Sequence, residues 1–248
     1  MNSSINEISL TQLAIAFVPV VPVLFILYRW RMRYGNAAYA ITRMLAQLMI
    51  IGYFLAYIFA THSAWIVLLV LCVMVFASSW IAMGSIAAQR MQLYKSAFIA
   101  IATGGGISLV IVCEGVLRLD PWYLPQYVIP LAGMIFANGM NTVSLAAERM
   151  RSEMENKVSY LDARKKALQA ALIPVTNSLF AVGLVSLPGM MTGQILSGVS
   201  PLIAARYQIM VMCMVFGSAG MCAALFLTLS RSAFQAQEAS QPPDGLGQ

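Results

Sequence analysis

The sequence predicts an all-α integral membrane protein, a polytopic bundle of about seven transmembrane helices with the N-terminus outside and the C-terminus cytoplasmic. Three observations predict it. Of 248 residues, 60% are hydrophobic and only 10% charged, against roughly 25% charged in globular domains. The apolar residues fall into runs of about 20, the length that crosses a bilayer core, and mean hydropathy is +0.78. Of the 15 Lys and Arg, all but Arg43, Arg118 and Arg206 lie in segments that this orientation makes cytoplasmic. The net charge of +6 therefore reports topology rather than a nucleic-acid partner. A chain of this length leaves no room for a sizeable soluble domain. One transmembrane domain is expected over residues 1–230, followed by a disordered cytoplasmic tail, 231–248, that ends QPPDGLGQ.

The first span, about Ile8 to Tyr28, follows Glu7 rather than a basic region, so it is expected to be retained as a helix and not cleaved as a signal. Pro19 and Pro22 should kink it, and Arg29, Arg31 and Arg33 close it. The second span, about Asn36 to Ala60, places Arg43 and Gln47 on one face, and His62 falls in the turn after it. A third runs from about Ala64 to Ala87. The fourth, Ser96 to Val116, contains Gly104, Gly105 and Gly106, and leads to an outer connection with Trp122 and Tyr123. Span five, about Gln126 to Ala147, enters the most charged stretch, 148–169, read as the main cytoplasmic loop. Span six starts near Ala171. It runs into Val185–Gln208, where Pro188, Gly189, Gly193, Gly198 and Pro201 interrupt regular helix. At membrane depth such backbone must be buried in protein or line a wet cavity. Pro188, Gly189 and Gly193 are accordingly the candidate helix break and gate. Span seven, about Tyr207 to Leu229, completes the set. No internal repeat of 20 to 50 residues is evident.

Enzymatic chemistry finds no support. There is no GxxxxGK[ST] motif and none of the four lysines follows a glycine, so any ATP and Mg would be bound by a partner and no cofactor by this chain. One histidine, scattered carboxylates and four cysteines embedded in apolar runs make no metal cluster and no nucleophile–base pair. The metal-binding residues, if any, are undetermined. Intramembrane ionisable groups are functional candidates because a charge at the bilayer centre costs about 3 kcal/mol on insertion scales. Arg43 reads either as a snorkelling anchor or as a pathway residue, and Glu114 either as the partner of Arg118 one turn on or as an outer carboxylate that receives a cation. Met134, Asn138 and Asn141 share a face of span five, offering a thioether and two amides to a cavity or to helix–helix hydrogen bonds, while Gly133 and Ala137 permit close packing. Among 17 methionines, Met190 and Met191 at the break form the best pair for a soft metal. Packing is the competing account.

Several segments resemble those of the FetB-like ABC permease family: PLAGMIFANGMN (130–141), AALIPVTNS (170–178), VGLVSLPGMMTGQILSGVSPL (182–202), RYQIMVM (206–212) and RMLAQLMIIGYFLAYIF (43–59). That family includes bacterial iron-export permeases and plant proteins linked to aluminium tolerance. The resemblance implies a multi-pass subunit of the bacterial inner membrane that works as a homodimer with a separate cytoplasmic ABC ATPase and exports a metal cation. The sequence departs from the family in the 148–169 loop, which is shorter than expected and lacks the glycine of a Leu-Gly-Ala turn. Glu148, Arg151 and Glu155, with Arg164, Lys165 and Lys166 beyond them, read either as a solvated amphipathic helix that docks the ATPase or as a plain charged connector. Two alternatives stand beside the ABC reading: an ion-coupled secondary transporter using Arg43 and Glu114, and a non-transporting membrane scaffold or sensor.

Overall fold

The computed structural model describes residues 9–59 and 63–240. His62 and the last eight residues of the tail lie outside these. Among the described residues the chain is helical, as the apolar runs require, and divides into two compact units, residues 1–61 and 62–248.

In the first unit, α1 (Leu10–Ile15) opens with a capping box in which Ser9 and Gln12 bond each other's backbone amides. The expected kink is a full interruption: the chain turns through residues 16–19 and restarts as α2 (Val20–Arg29), because Pro19 has no N–H to continue the ladder. A tight connection with Arg31 at φ +55° leads into α3 (Tyr34–Phe59). Tyr28 and Tyr34 meet edge to face at 5.4 Å across it.

In the second unit, α4 (Ala64–Ala82) is followed by a 3-10 turn and α5 (Arg90–Val110), which continues as a π turn over Ile111–Val116. Then come α6 (Pro125–Glu155), α7 (Tyr160–Ala181), α8 (Gly189–Leu196), α9 (Pro201–Leu229) and α10 (Arg231–Ser240). The core lies where α5, α6 and α9 converge. In lipid there is no hydrophobic drive to bring helices together, so close backbone approach at small residues must do it. Gly104, Gly139 and Cys222 are that place: a Cβ on Gly104 would stand 3.0 Å from the Cys222 backbone nitrogen, and one on Gly139 3.1 Å from the Cys222 Sγ. The expected small pair, Gly133 and Ala137, is not the seam. A Cβ on Gly133 would find only the Met74 terminal methyl at 3.6 Å, and Ala137 is exposed.

Among the described residues six helices are long and apolar enough to cross a membrane, counting Leu10–Arg29 as one. The remaining expected crossing is not a continuous helix. α7 stops at Ala181, residues 182–188 turn with Gly183 at φ +83°, and α8 restarts at Gly189. The charged stretch 148–169 is likewise a helical hairpin rather than a loop. Ion pairs at i,i+4 spacing carry α6 to Glu155, and the Ser159 side chain caps α7 by accepting the Asp162 amide. The turn closes without glycine. The Val158 amide bonds the Glu153 carbonyl and the Lys157 amide that of Met154, a Schellman pattern in which Lys157 itself takes the left-handed conformation at φ +58°. Of the tail expected to be disordered, residues 231–240 form α10, and Phe234 is fully buried.

Candidate functional site

α6, α8 and α9 flank a half-open cavity of about 560 Å³, and each contributes a single stripe to it. From α6 come Gln126, Pro130 and Met134, four residues apart and so on one face. Pro130 lacks the N–H that would have bonded the Gln126 carbonyl, which frees a backbone oxygen beside the cavity. α8 adds Met190 and Gln194 at i,i+4, and α9 adds Ile203, Tyr207 and Met210 at i, i+4 and i+7. The break makes this arrangement possible, because α7 has already stopped at Ala181, and Pro188, at the N-cap, starts α8 afresh with its own face against α9. Gly198 at φ +90° then closes α8: Val199 bonds the Gln194 carbonyl and Gly198 the Ile195 carbonyl.

The chemistry of the lining is soft and neutral. Methionines from three helices line the cavity together with Gln126, Gln194, Tyr127 and Tyr207, and among the described residues no carboxylate, imidazole, thiol or cation does. The side-chain oxygen of Gln194 is buried without a hydrogen-bond partner and does not open onto the cavity space. An acceptor so buried costs free energy. Among the described residues no group of three or more His, Cys, Asp or Glu stands ready for a metal ion.

Met134 and Met190 are thus brought together, joined by Met210, which the sequence did not single out. The other candidates lie elsewhere. Met191 does not line the cavity. Asn138 turns back on its own helix, donating to the Met134 carbonyl at 2.8 Å, and Asn141 is exposed, so neither bridges helices. Glu114 lines a separate, almost wholly apolar cavity of about 320 Å³ between α4, α5 and α6, beside Cys72 and Cys113. No ion pair joins it to Arg118, because the π turn and the left-handed Arg118 at φ +51° break the i,i+4 register. Arg43 is exposed on α3. Pro188 caps α8 and Gly189 begins it. Gly193 lies inside α8, where a Cβ would meet nothing within 4 Å, so the break does not depend on it.

A second feature is the α6–α7 hairpin. Glu148 and Glu155 are exposed, with Arg151 paired to Glu155 at 3.1 Å and Lys165 to Asp162 at 3.3 Å. Lys166 crosses to Glu153 at 2.8 Å, and Glu153 also receives Arg149, so this buried carboxylate clamps the two helices together. The Ser159 hydroxyl and then Lys165 hold the Asp162 carboxyl below the usual carboxylate range. Arg164 is half-buried. At the same end the Tyr160 hydroxyl donates to the Leu227 carbonyl and the Arg231 guanidinium sits 5.5 Å over the Tyr160 ring, tying the hairpin to α9 and α10. Glu153 and Tyr160 escaped notice in the sequence. The Arg149–Glu153 spacing was a usable signal, whereas the Lys166 contact exists only once the hairpin has formed.

An apolar helical bundle with an uncharged, half-open cavity beside an interrupted crossing, and a charged hairpin at its end, is a multi-pass membrane protein of permease type. The chain belongs to the family described as "Uncharacterised protein family (UPF0014)", which matches residues 10–234. It is 35% identical to the probable iron export permease protein FetB of Escherichia coli, over 89% of this chain and 89% of that protein. It is 36% identical to the UPF0014 membrane protein slr1647 of Synechocystis over 73% and 76% of the two chains. The plant protein ALUMINUM SENSITIVE 3 of Arabidopsis thaliana is 32% identical over 75% and 72%. No solved structure matches.

Proposed function

We propose that the chain is the membrane subunit of an ABC exporter in the bacterial inner membrane, passing a metal cation outward while a separate ATPase supplies ATP hydrolysis. The cavity walled by α6, α8 and α9 carries this reading, because it brings thioethers and side-chain amides to one space next to a helix interruption, the usual position of a transport site. The name of the Escherichia coli relative points in the same direction. In this reading the α6–α7 hairpin faces the cytoplasm with the C-terminus, the N-terminus lies outside, and two copies of the chain pair around the pathway. Glu148, Arg151, Glu155, Arg164, Lys165 and Lys166 give the ATPase a charged surface, and the links from Tyr160 to Leu227 and from Lys166 to Glu153 pass its movement to α9 and α6.

Co-expression with candidate ATPases and reconstitution into vesicles tests this. The expected result is a stable complex with metal-stimulated ATP hydrolysis and ATP-dependent cation movement. Movement that survives ATP depletion but collapses with the proton gradient would replace it with a secondary transporter. A chain that purifies alone and whose deletion leaves cellular metal unchanged would point instead to a scaffold or sensor.

A further inference from the structure

We infer that the α6–α8–α9 cavity binds a soft monovalent cation of the Cu(I) or Ag(I) type through the thioethers of Met134, Met190 and Met210, which all line it. Binding stands on the cavity itself; that the bound ion is the cargo rests on the permease reading above.

The choice of cation follows from what the lining holds. Thioethers are neutral, polarisable donors that select Cu(I) over the hard divalent ions, which need carboxylate, water or imidazole. The cavity offers no carboxylate, imidazole or thiol. An ion entering it keeps its full charge in apolar surroundings, and the Born cost rises with the square of that charge, about fourfold from monovalent to divalent. A divalent iron ion therefore meets the wrong donors and the larger penalty. Packing alone does not account for the arrangement. Methionines that merely fill gaps in a core would leave no space among them, yet these three border about 560 Å³. The three sulfurs also come from three different helices, so a shared ion would pin α8 to α6 and α9, and its release would free the short helix that follows the break.

The test uses the full chain in lipid nanodiscs, with the exposed Cys72 and Cys213 changed to Ser, and Ag⁺ as the probe. Equilibrium dialysis with metal analysis gives affinity, and silver X-ray absorption gives the donor atoms. Because Leu conserves the volume of Met, the fold is expected to survive each Met→Leu change, which circular dichroism checks. The expected result is about one Ag⁺ per chain in a sulfur-dominated shell, weakened about tenfold or more by Met134→Leu, Met190→Leu or Met210→Leu. Met91→Leu, at the exposed start of α5, leaves binding unchanged, and excess Fe²⁺ does not compete. Binding that persists in the triple Leu variant, equal competition by Fe²⁺, or a copurified lipid that Ag⁺ does not displace would each overturn the inference. The two readings separate in vesicles. ATP-driven transport indifferent to the three methionines removes this site and leaves the exporter, whereas Met-dependent Ag⁺ binding without transport in any ATPase complex removes the exporter and leaves the site.

Discussion

Gly104→Ala adds a single methyl group where α5 meets the backbone of α9, and its effect can be worked out from the geometry. The new Cβ would stand 3.0 Å from the Cys222 backbone nitrogen, 3.1 Å from its Sγ and 3.2 Å from the Met221 carbonyl carbon. Favourable carbon contacts begin at about 3.5 Å. Two of the three neighbours are backbone atoms of α9 and cannot rotate away, so α5 and α9 must separate by roughly half an ångström along a seam with few side chains to fill the gap. Overpacking of this kind costs about 1–3 kcal/mol. Alanine in a helix interior recovers about 1 kcal/mol over glycine. Gly106→Ala is the control, since nothing lies within 4 Å of its Cβ and the propensity gain stands alone. The two variants should differ in stability by about 1–3 kcal/mol, with Gly104→Ala the weaker. Gly105→Ala should also be weaker than Gly106→Ala, because its Cβ would stand 2.8 Å from the buried Phe136 ring and 3.0 Å from the Ile135 Cγ2. Unfolding by SDS in mixed micelles, followed by tryptophan fluorescence and circular dichroism, measures the difference. A Gly104→Ala protein as stable as Gly106→Ala would refute the reasoning and with it the placement of the seam.

The hairpin yields three further predictions. Lys157→Gly should stabilise it by about 0.5–1 kcal/mol, since glycine occupies a left-handed cap without the Cβ penalty, and slower amide exchange across residues 150–166 would report it. Glu153→Gln should speed exchange in the same segment by removing the carboxylate shared by Arg149 and Lys166, and the swap Glu153→Lys with Lys166→Glu should restore part of the protection. Ser159→Ala should cost the α7 start about 0.5–2 kcal/mol. It should also reduce the hairpin's acid sensitivity. The lowered Asp162 carboxyl contributes stability above its unfolded value, near 4, and loses it as pH falls through the lower folded value, and without Ser159 that gap narrows. Exchange followed between pH 5 and pH 3 checks the sign.

The apolar runs made the spans legible, because a stretch of about 20 such residues has few alternatives to a membrane helix. Where charge interrupted the pattern the reading stopped short. Residues 148–169 read as a loop because they are polar, yet the i,i+4 pairs Arg149–Glu153 and Arg151–Glu155 are signals of helix, and helices need not end where the bilayer does. The missing glycine argues against a tight turn, but Lys157 accepts the strained conformation in its place. Met134 and Met190 could be proposed from a helical face and a helix break. Met210 could not, since its meeting with them depends on how α8 folds back on α9, and no local pattern records that. Asn138 and Asn141 had the right spacing for a cavity but satisfy themselves locally or face outward.

The interruption between α7 and α8 also has a mechanical meaning. The Ala181 carbonyl accepts the amides of Leu184, Val185 and Ser186, and the Gly183 amide returns to the Ser186 carbonyl. The joint is therefore folded onto the C-terminal end of α7, whose last carbonyl it uses three times over, and is independent of α8. Its amides are satisfied without help from α8, which matters in an oily surrounding where each orphaned amide would cost several kcal/mol. Side chains in the joint are then free to vary, while Gly183, whose backbone angle only glycine adopts cheaply, is the position that holds the turn.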